Sequence, residues 1–372
     1  MSHPRVMILT GAGASATLGA QDKPLPMMPE WASSLINELG YAAQLLGLRE
    51  NMPGDEFEAA LGRFVSFANA LTAIAPLHDL GGKVNVLVSP QTVQHSLDSS
   101  VWFRTAESNV QRVQGAIHRN LFDLFNESRV DEGAAYESYG ALHSQIRNAF
   151  DARPVFLAHV TTNFDHSIEA AIALEAVAAN EPRTVLDGFA PSYGGRNETW
   201  APNLLHFATQ HDGEIPVLHL HGAVGWYFSD DGTAIRRRPS DELLDERLTP
   251  ALLLPDDKKD VRLFPGPLKA IWDQFRQLLS NSTHVLVLGH SLHDNHLVDE
   301  LRESGKPIAY VALTDPDEHG GYQLKKSAVL EAVSKQLRDV KLIPGRFGQR
   351  SSISDVDSNE LRIWLRDHTP RD

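Results

Sequence analysis

The sequence predicts an α/β protein, a Rossmann-like doubly wound parallel sheet interrupted by a mainly helical insertion. Three observations predict it. Short apolar runs alternate with stretches of helical periodicity from residue 155 to residue 343, and alternation of that length builds a parallel sheet covered on both faces. The run Val6-Met-Ile-Leu9 passes directly into Gly11-Ala-Gly-Ala-Ser15, so a buried strand feeds a glycine turn whose backbone an anion can approach closely. Between residues 31 and 150, by contrast, apolar residues recur mostly at three- and four-residue spacing, the signature of amphipathic helices. The expected domains are residues 1–30 with 151–372, carrying the sheet, and 31–150, inserted between its first strand and the rest.

Taken in order, strand 6–9 and its turn are followed by a loop, because Lys23 to Glu30 carries three prolines. Pro29-Glu-Trp31 reads as the first turn of a helix. Helical periodicity then covers 31–39, 57–75, 108–125 and 136–150. Only Lys83-Val-Asn-Val-Leu-Val88 alternates like a strand, led by Gly81 and Gly82. From Val155 the expected order is strand 155–160, helix 166–179, strand-like segments near 183–186, 216–221 and 251–254, and helix 266–280. Strand 284–288, helix 294–303, strand 308–313, helix 321–337 and strand 340–343 complete it. Asp187 to Gly213 and Ser229 to Pro250 are polar and broken by glycine or proline, so they read as loops over a crevice.

Composition narrows the function. A formal charge of −14 argues against general binding to a polyanion, so direct nucleic-acid binding is not expected; the tight basic run Arg236-Arg-Arg238 reads as a solvated loop. The chain has no cysteine, which excludes disulfides, a thiol nucleophile and cysteine-held zinc or iron–sulfur clusters. No apolar stretch approaches the roughly 20 residues of a membrane span, and the N-terminus enters a strand without a leader. The expectation is a cytoplasmic protein.

Four segments carry the chemistry, each just past an apolar run, where ligands of open α/β sheets bind. Gly11-Ala-Gly-Ala-Ser15 keeps G-x-G without a third glycine at the usual place, and reads either as a phosphate turn or as a tight strand–helix turn. Ser15 can donate to a phosphate or cap the next helix. Asn163 and Asp165 suit a nicotinamide riboside, the amide holding a ribose hydroxyl or water and the carboxylate the carboxamide; Asx capping of the following helix is the alternative. His219 and His221 alternate on one strand. If it ends near His221, that residue reaches the crevice as a candidate general base, Gly222 leaves room for a substrate, and His219 lies deeper against a helix. In the fourth segment Gly289 and Ser291 can contact a second phosphate or ribose. Asp315, after strand 308–313, can accept ribose hydroxyls or simply turn the chain before Pro316. His290, His293 and His296 form H-x2-H-x2-H, but His290 falls in the turn before the helix, and no metal is expected there.

Together these segments resemble the sirtuin family, in the divergent bacterial form associated with antiphage defence. Gly11-Ala-Gly-Ala-Ser15 followed by Gly19-Ala-Gln-Asp22 keeps that family's spacing from glycine turn to acidic residue. Thr162-Asn163-Phe164-Asp165 is similar to its Gln-Asn-Ile-Asp, His221-Gly222 to its catalytic His-Gly, and Gly289-His-Ser291-Leu292 to its Gly-Thr-Ser-Leu. The resemblance covers about the first 30 residues and 151–345. Two departures matter: Lys23-Pro24 stands where deacylating members have Phe-Arg, and the four cysteines of their zinc lobe are absent.

The resemblance implies NAD+ as substrate, with no metal, and hydrolysis to nicotinamide and ADP-ribose. Asn163 and His221 are then catalytic; Gly11, Ala12, Gly13, Ser15, Asp22, Asp165, Gly289, Ser291 and Asp315 bind the dinucleotide. It also implies a regulated effector, switched by homo-oligomer assembly or by a HerA-like ATPase or Argonaute-like partner. A protein deacylase or ADP-ribosyltransferase, and a noncatalytic sensor of NAD+ or ADP-ribose, are the alternatives.

Overall fold

The computed structural model describes residues 3–15, 28–40, 130–151, 153–179, 183–190, 198–201, 213–229, 234–237, 251–253, 266–292, 294–316, 322–324, 339–345 and 356–368, with individual positions in 18–67, 105–124 and 331–337. Asp22, Lys23-Pro24 and the 83–88 alternation lie outside the described residues, as does His293. The chain divides into two units. One comprises Met1–Met27, Phe125–Leu253 and Lys259–Asp372; the other comprises Met28–Leu124 and Leu254–Lys258.

In chain order the first unit's early elements are β1 (Arg5–Thr10) and the single turn α1 (Ala12–Ser15). The second unit contributes α2 (Met28–Leu39), whose Trp31 meets Phe57 edge-on at 5.2 Å and whose Ser34 hydroxyl accepts from Asn120 Nδ2 at 2.9 Å. Back in the first unit, α3 (Glu132–Ala135) runs through a π-helical turn at Tyr136–Gly140 into α4 (Ala141–Ala149). Then come β2 (Phe156–Thr161), α5 (Ser167–Ala179), β3 (Thr184–Leu186), β4 (Phe189–Ala190) and β5 (Glu198–Trp200). β6 (Glu214–His219), β7 (Trp226–Phe228), β8 (Ile235–Arg237), α6 (Gly266–Asn281) and β9 (His284–Leu288) follow. The last are α7 (Asn295–Glu303), β10 (Ile308–Pro316), β11 (Tyr322–Leu324), β12 (Lys341–Gly345) and α8 (Ser358–Asp367).

Seven strands pair in parallel in the order β3-β6-β2-β1-β9-β10-β12, and β11 adds antiparallel pairing at the far end of β10. The fold is therefore a Rossmann-type α/β sheet. Alternation along β1 explains its two cores: Val6 and Ile8 join Leu142, Ile146, Ile168, Ile172 and Trp364 on one face, while Met7 and Leu9 join Trp272, Phe275, Leu297 and Leu301 on the other. Helices cover both faces, so the central strands are mostly apolar, with His159 of β2 and His284 of β9 buried among them.

Four local expectations are corrected. The stretches around 187–213 and 229–250 are not wholly irregular, since β4, β5, β8 and β7 form a small antiparallel sheet that buries Phe189, Trp200, Trp226 and Ile235. Residues 251–253 form no strand and are held by Ala251 N donating to Trp226 O and Leu253 N to His221 O. The start of the expected helix 321–337 is β11, paired with Thr314–Pro316. Residues 131–150 belong with the sheet, because Ala135, Tyr139, Leu142 and Ile146 bury against it; helical periodicity alone cannot tell a covering helix from an inserted one.

Candidate functional site

β1 pairs with β2 on one side and β9 on the other, so the chain leaves in opposite directions around it. That makes the carboxyl end of β1 and β9 the topological switch point, where such sheets open a crevice. Here the turns after the two strands are joined backbone to backbone: Gly11 N donates to Leu288 O at 3.0 Å and Gly13 N to Gly289 O at 2.9 Å. Gly289 has φ +56°, and a Cβ on it would lie 2.2 Å from Ala14 N. Only glycine fits.

The contact changes the meaning of the first turn. The amides of Gly11, Gly13 and Ala14 are bonded to Leu288 O, Gly289 O and Gly11 O, so they do not all face an anion as the glycine pattern suggests. Ala12 and Gly13 are the exposed part of the turn. Ser15 is buried at the end of α1, and its hydroxyl lies 3.3 Å from Ser167 Oγ.

Asn163 follows β2, set by its own amide donating to Thr161 Oγ1 at 3.0 Å. Its side-chain Nδ2 donates to Gly11 O at 3.1 Å and to Ser15 Oγ at 2.7 Å. Both amide hydrogens are thus committed, leaving Oδ1 to accept. Two residues on, Asp165 Oδ1 accepts from Ser167 N at 3.0 Å, so the carboxylate does cap α5 with one oxygen. Burial raises the Tyr139 phenol above its ordinary value, and the Asp165 charge adds to that rise.

β6 ends at His219, and His221 lies in the turn beyond it. His219 is fully buried and packs against α5 as its depth in the strand implies: its Nδ1 is 3.0 Å from Asn163 O and its Nε2 2.7 Å from Glu169 Oε1. His221 Nε2 lies 3.2 Å from Asp294 Oδ2, and Asp294 also caps α7 by accepting from His296 N and Leu297 N. Gly222, with φ +77°, is required by the chain itself: a Cβ there would sit 1.9 Å from Ala251 O, so its space is filled by backbone and not held open for a substrate.

Glu169 gathers a second histidine. His166 Nδ1 lies 3.2 Å from the same Oε1, and His166 Nε2 2.9 Å from Val224 O. Burial works to lower the His166 pKa, but the Glu169 carboxylate and the Val224 carbonyl outweigh it and bring it up to about 9. For Glu169, burial is likewise outweighed by His219 and His166, which hold its carboxyl well below the usual range. Farther down, His143 Nδ1 meets Glu175 Oε1 at 2.6 Å and His143 Nε2 meets His159 Nε2 at 2.8 Å; burial lowers both imidazoles.

The structure thus bonds Gly11, Gly13, Ser15, Asn163 and Gly289 into one cluster, with Asp165 beside it and His221 tied to the end of the Gly289 turn. Ser291 is exposed on that turn. Asp315 lies within β10, paired with Gln323, beyond the stretch of β10 that pairs with β9. His290 Nδ1 accepts from Leu292 N at 2.8 Å, and its carbonyl accepts from Tyr310 OH. Sequence reasoning gave no role to Glu169, His166 or Asp294. A helix-borne acid six residues past Asn163 was the available signal for Glu169.

No curated protein matches the chain in sequence. Among solved structures, one described as "Structural Basis for the Mechanism and Regulation of Sir2 Enzymes" is similar at 11% identity and a TM-score of 0.41, over 98% of this chain and 93% of that one. Residues 158–332, which hold Asn163, Asp165, His221, Gly289 and Asp294 but not the Gly11–Ser15 turn, match the family model of the SIR2-like domain, and that stretch is similar to this family.

Proposed function

We propose that the chain hydrolyses NAD+ to nicotinamide and ADP-ribose. The observation that carries this reading is the committed amide of Asn163: with Nδ2 spent on Gly11 O and Ser15 Oγ, Oδ1 is oriented to accept from a ribose hydroxyl or an attacking water. Asp165 would fix the carboxamide through its second oxygen. His221, paired through Nε2 with Asp294, would act as the general base. The dinucleotide phosphates would meet the exposed Ala12 and Gly13, with Gly289, Ser291 and Asp315 toward its adenosine side; Asp22 is assigned to the dinucleotide by the resemblance alone.

Water adds to C1′ of the nicotinamide ribose as the C1′–N bond breaks. Nicotinamide leaves with the bonding pair, and the water's proton passes to His221 and then to solvent. The oxocarbenium-like transition state needs a base and fixed dipoles rather than a strong nucleophile. The absence of cysteine supports this reading over deacylation, since the cysteine-zinc lobe of deacylating sirtuins cannot form.

Such an activity consumes a cofactor the host needs, so we further infer a regulated antiphage effector, active on self-assembly or with a HerA-like or Argonaute-like partner. The test incubates purified protein, at several concentrations and with the product of any neighbouring gene, with NAD+ and with an acyl-lysine peptide. Nicotinamide and free ADP-ribose in equal amounts support hydrolysis; acyl-ADP-ribose identifies a deacylase. Binding without turnover under every condition identifies a sensor and overturns the reading.

A further inference from the structure

The strongest feature outside the Asn163–His221 pair is the convergence of His166, Glu169 and His219. The donor atoms of all three lie within 4.8 Å of one another. Their protonation is constrained by what lies behind them. Asn163 O and Val224 O can only accept, so the ring nitrogens facing them, His219 Nδ1 at 3.0 Å and His166 Nε2 at 2.9 Å, carry hydrogens. In neutral imidazoles the lone pairs then reside on His219 Nε2 and His166 Nδ1. Both face one atom, Glu169 Oε1, at 2.7 and 3.2 Å.

Two nitrogen lone pairs and a carboxylate cannot share that space without positive charge between them. Two extra protons would supply it in the absence of a metal, and the Glu169 charge draws one onto His166, but the second would make an imidazolium of the fully buried His219. They would also leave Glu169 Oε2 as it is, buried and without a hydrogen-bond partner among the described residues. A single divalent cation among the three donor atoms satisfies both lone pairs and the carboxylate charge. Backbone carbonyls holding the far N–H of each ring are the usual outer support of metal-binding histidines, since they fix tautomer and ring plane.

We propose that His166, Glu169 and His219 bind a divalent transition-metal ion of the zinc class. Two imidazoles and one carboxylate suit Zn2+ and its first-row neighbours, whereas Mg2+ and Ca2+ prefer all-oxygen sites. The partly exposed His166 ring provides the entry path. This site differs from the H-x2-H-x2-H string, and it revises the expectation that the chain needs no metal.

Its position suggests what it does. His166 is three residues past Asn163 and His219 two before His221, and the two loops are also joined by Val224 N donating to Phe164 O at 3.0 Å. The ion would clamp the loop that orients the amide to the loop that carries the base, a positioning role independent of which reaction the site performs.

The test uses full-length protein purified through a tag without histidine, stripped with chelator, and titrated with Zn2+ and Co2+ against a chromophoric competitor. One equivalent per chain, visible Co2+ bands showing nitrogen and oxygen ligation, and a melting temperature raised by Zn2+ are expected. H166A and E169Q, checked for folding by circular dichroism, should bind at least about 10-fold more weakly. No stoichiometric binding by the wild type overturns the proposal, as does wild-type affinity in both variants. Should either variant fail to fold, the wild-type titration and Co2+ spectrum still decide. Metal binding without NAD+ turnover would separate failure of the hydrolase reading from failure of this one.

Discussion

His221 Nε2 and Asp294 Oδ2 stand 3.2 Å apart although 73 residues separate them in the chain. The pair joins the turn after β6 to the cap of α7, and it turns a lone imidazole into an oriented one. Asp294→Asn keeps a good helix cap but removes the charge. On the proposed hydrolysis, kcat should fall about 10- to 100-fold with KM nearly unchanged. Unaltered kcat would show that the contact serves the helix alone.

Asn163→Ala should lower kcat by at least about 100-fold, the usual cost of a group that orients or stabilises the reacting centre. Ser15→Ala tests the support behind it. Losing the hydroxyl leaves a buried amide hydrogen of Asn163 without its 2.7 Å acceptor, at a cost of about 1–3 kcal/mol in stability, and kcat should fall as the amide loses its orientation. Equal stability and turnover in Ser15→Ala, read by denaturant titration and NAD+ assay, would remove Ser15 from the site.

Gly289→Ala should be among the most damaging single substitutions. A left-handed backbone adds about 1–3 kcal/mol of strain, and a Cβ 2.2 Å from Ala14 N must drive the two turns apart. Gly305→Ala is the control, with φ +62° but nothing within 4 Å of the added Cβ. Its loss should stay near about 1–2 kcal/mol. Equal melting temperatures for the two variants would mean that the backbone junction is not rigid.

Stability should fall on acidification through buried neutral histidines. Burial pushes the His284 imidazole down to about 4; it is wedged by Phe150 and Trp364 and bonded to Leu365 O. The unfolded chain, with an ordinary value of about 6.5, binds the proton first. Stability is therefore whole above about pH 6.5 and is lost as pH falls toward 4, by on the order of 2–3 kcal/mol for this residue. His143 and His159 act in the same direction. Urea titrations of His284→Gln against wild type should show a shallower acid limb; parallel limbs would refute the assignment.

The parallel strands were legible because burial on both faces leaves an unbroken apolar run, as in Val6–Leu9 and Val285–Leu288. Their carboxyl ends then located Asn163, His221 and Gly289 together. What stayed hidden was non-local or too short to have a period. β4, β5, β7 and β8 are two- or three-residue strands defined only by their partners, and β11 exists because β10 extends to meet it. Asp294 and Glu169 looked like ordinary helix residues; only the fold brings each to a histidine. Of the histidines that drew attention by spacing, the described His290 and His296 are not among those the fold gathers.

The joint between Gly13 and Gly289 has a thermodynamic consequence for control. Because this part of the crevice floor is already bonded into the sheet, an arriving dinucleotide spends no ordering entropy to assemble it. Occupancy therefore reports little to the rest of the chain through this turn, and an on–off switch must work by admitting the substrate or by moving the imidazole at His221, not by building the cradle on demand.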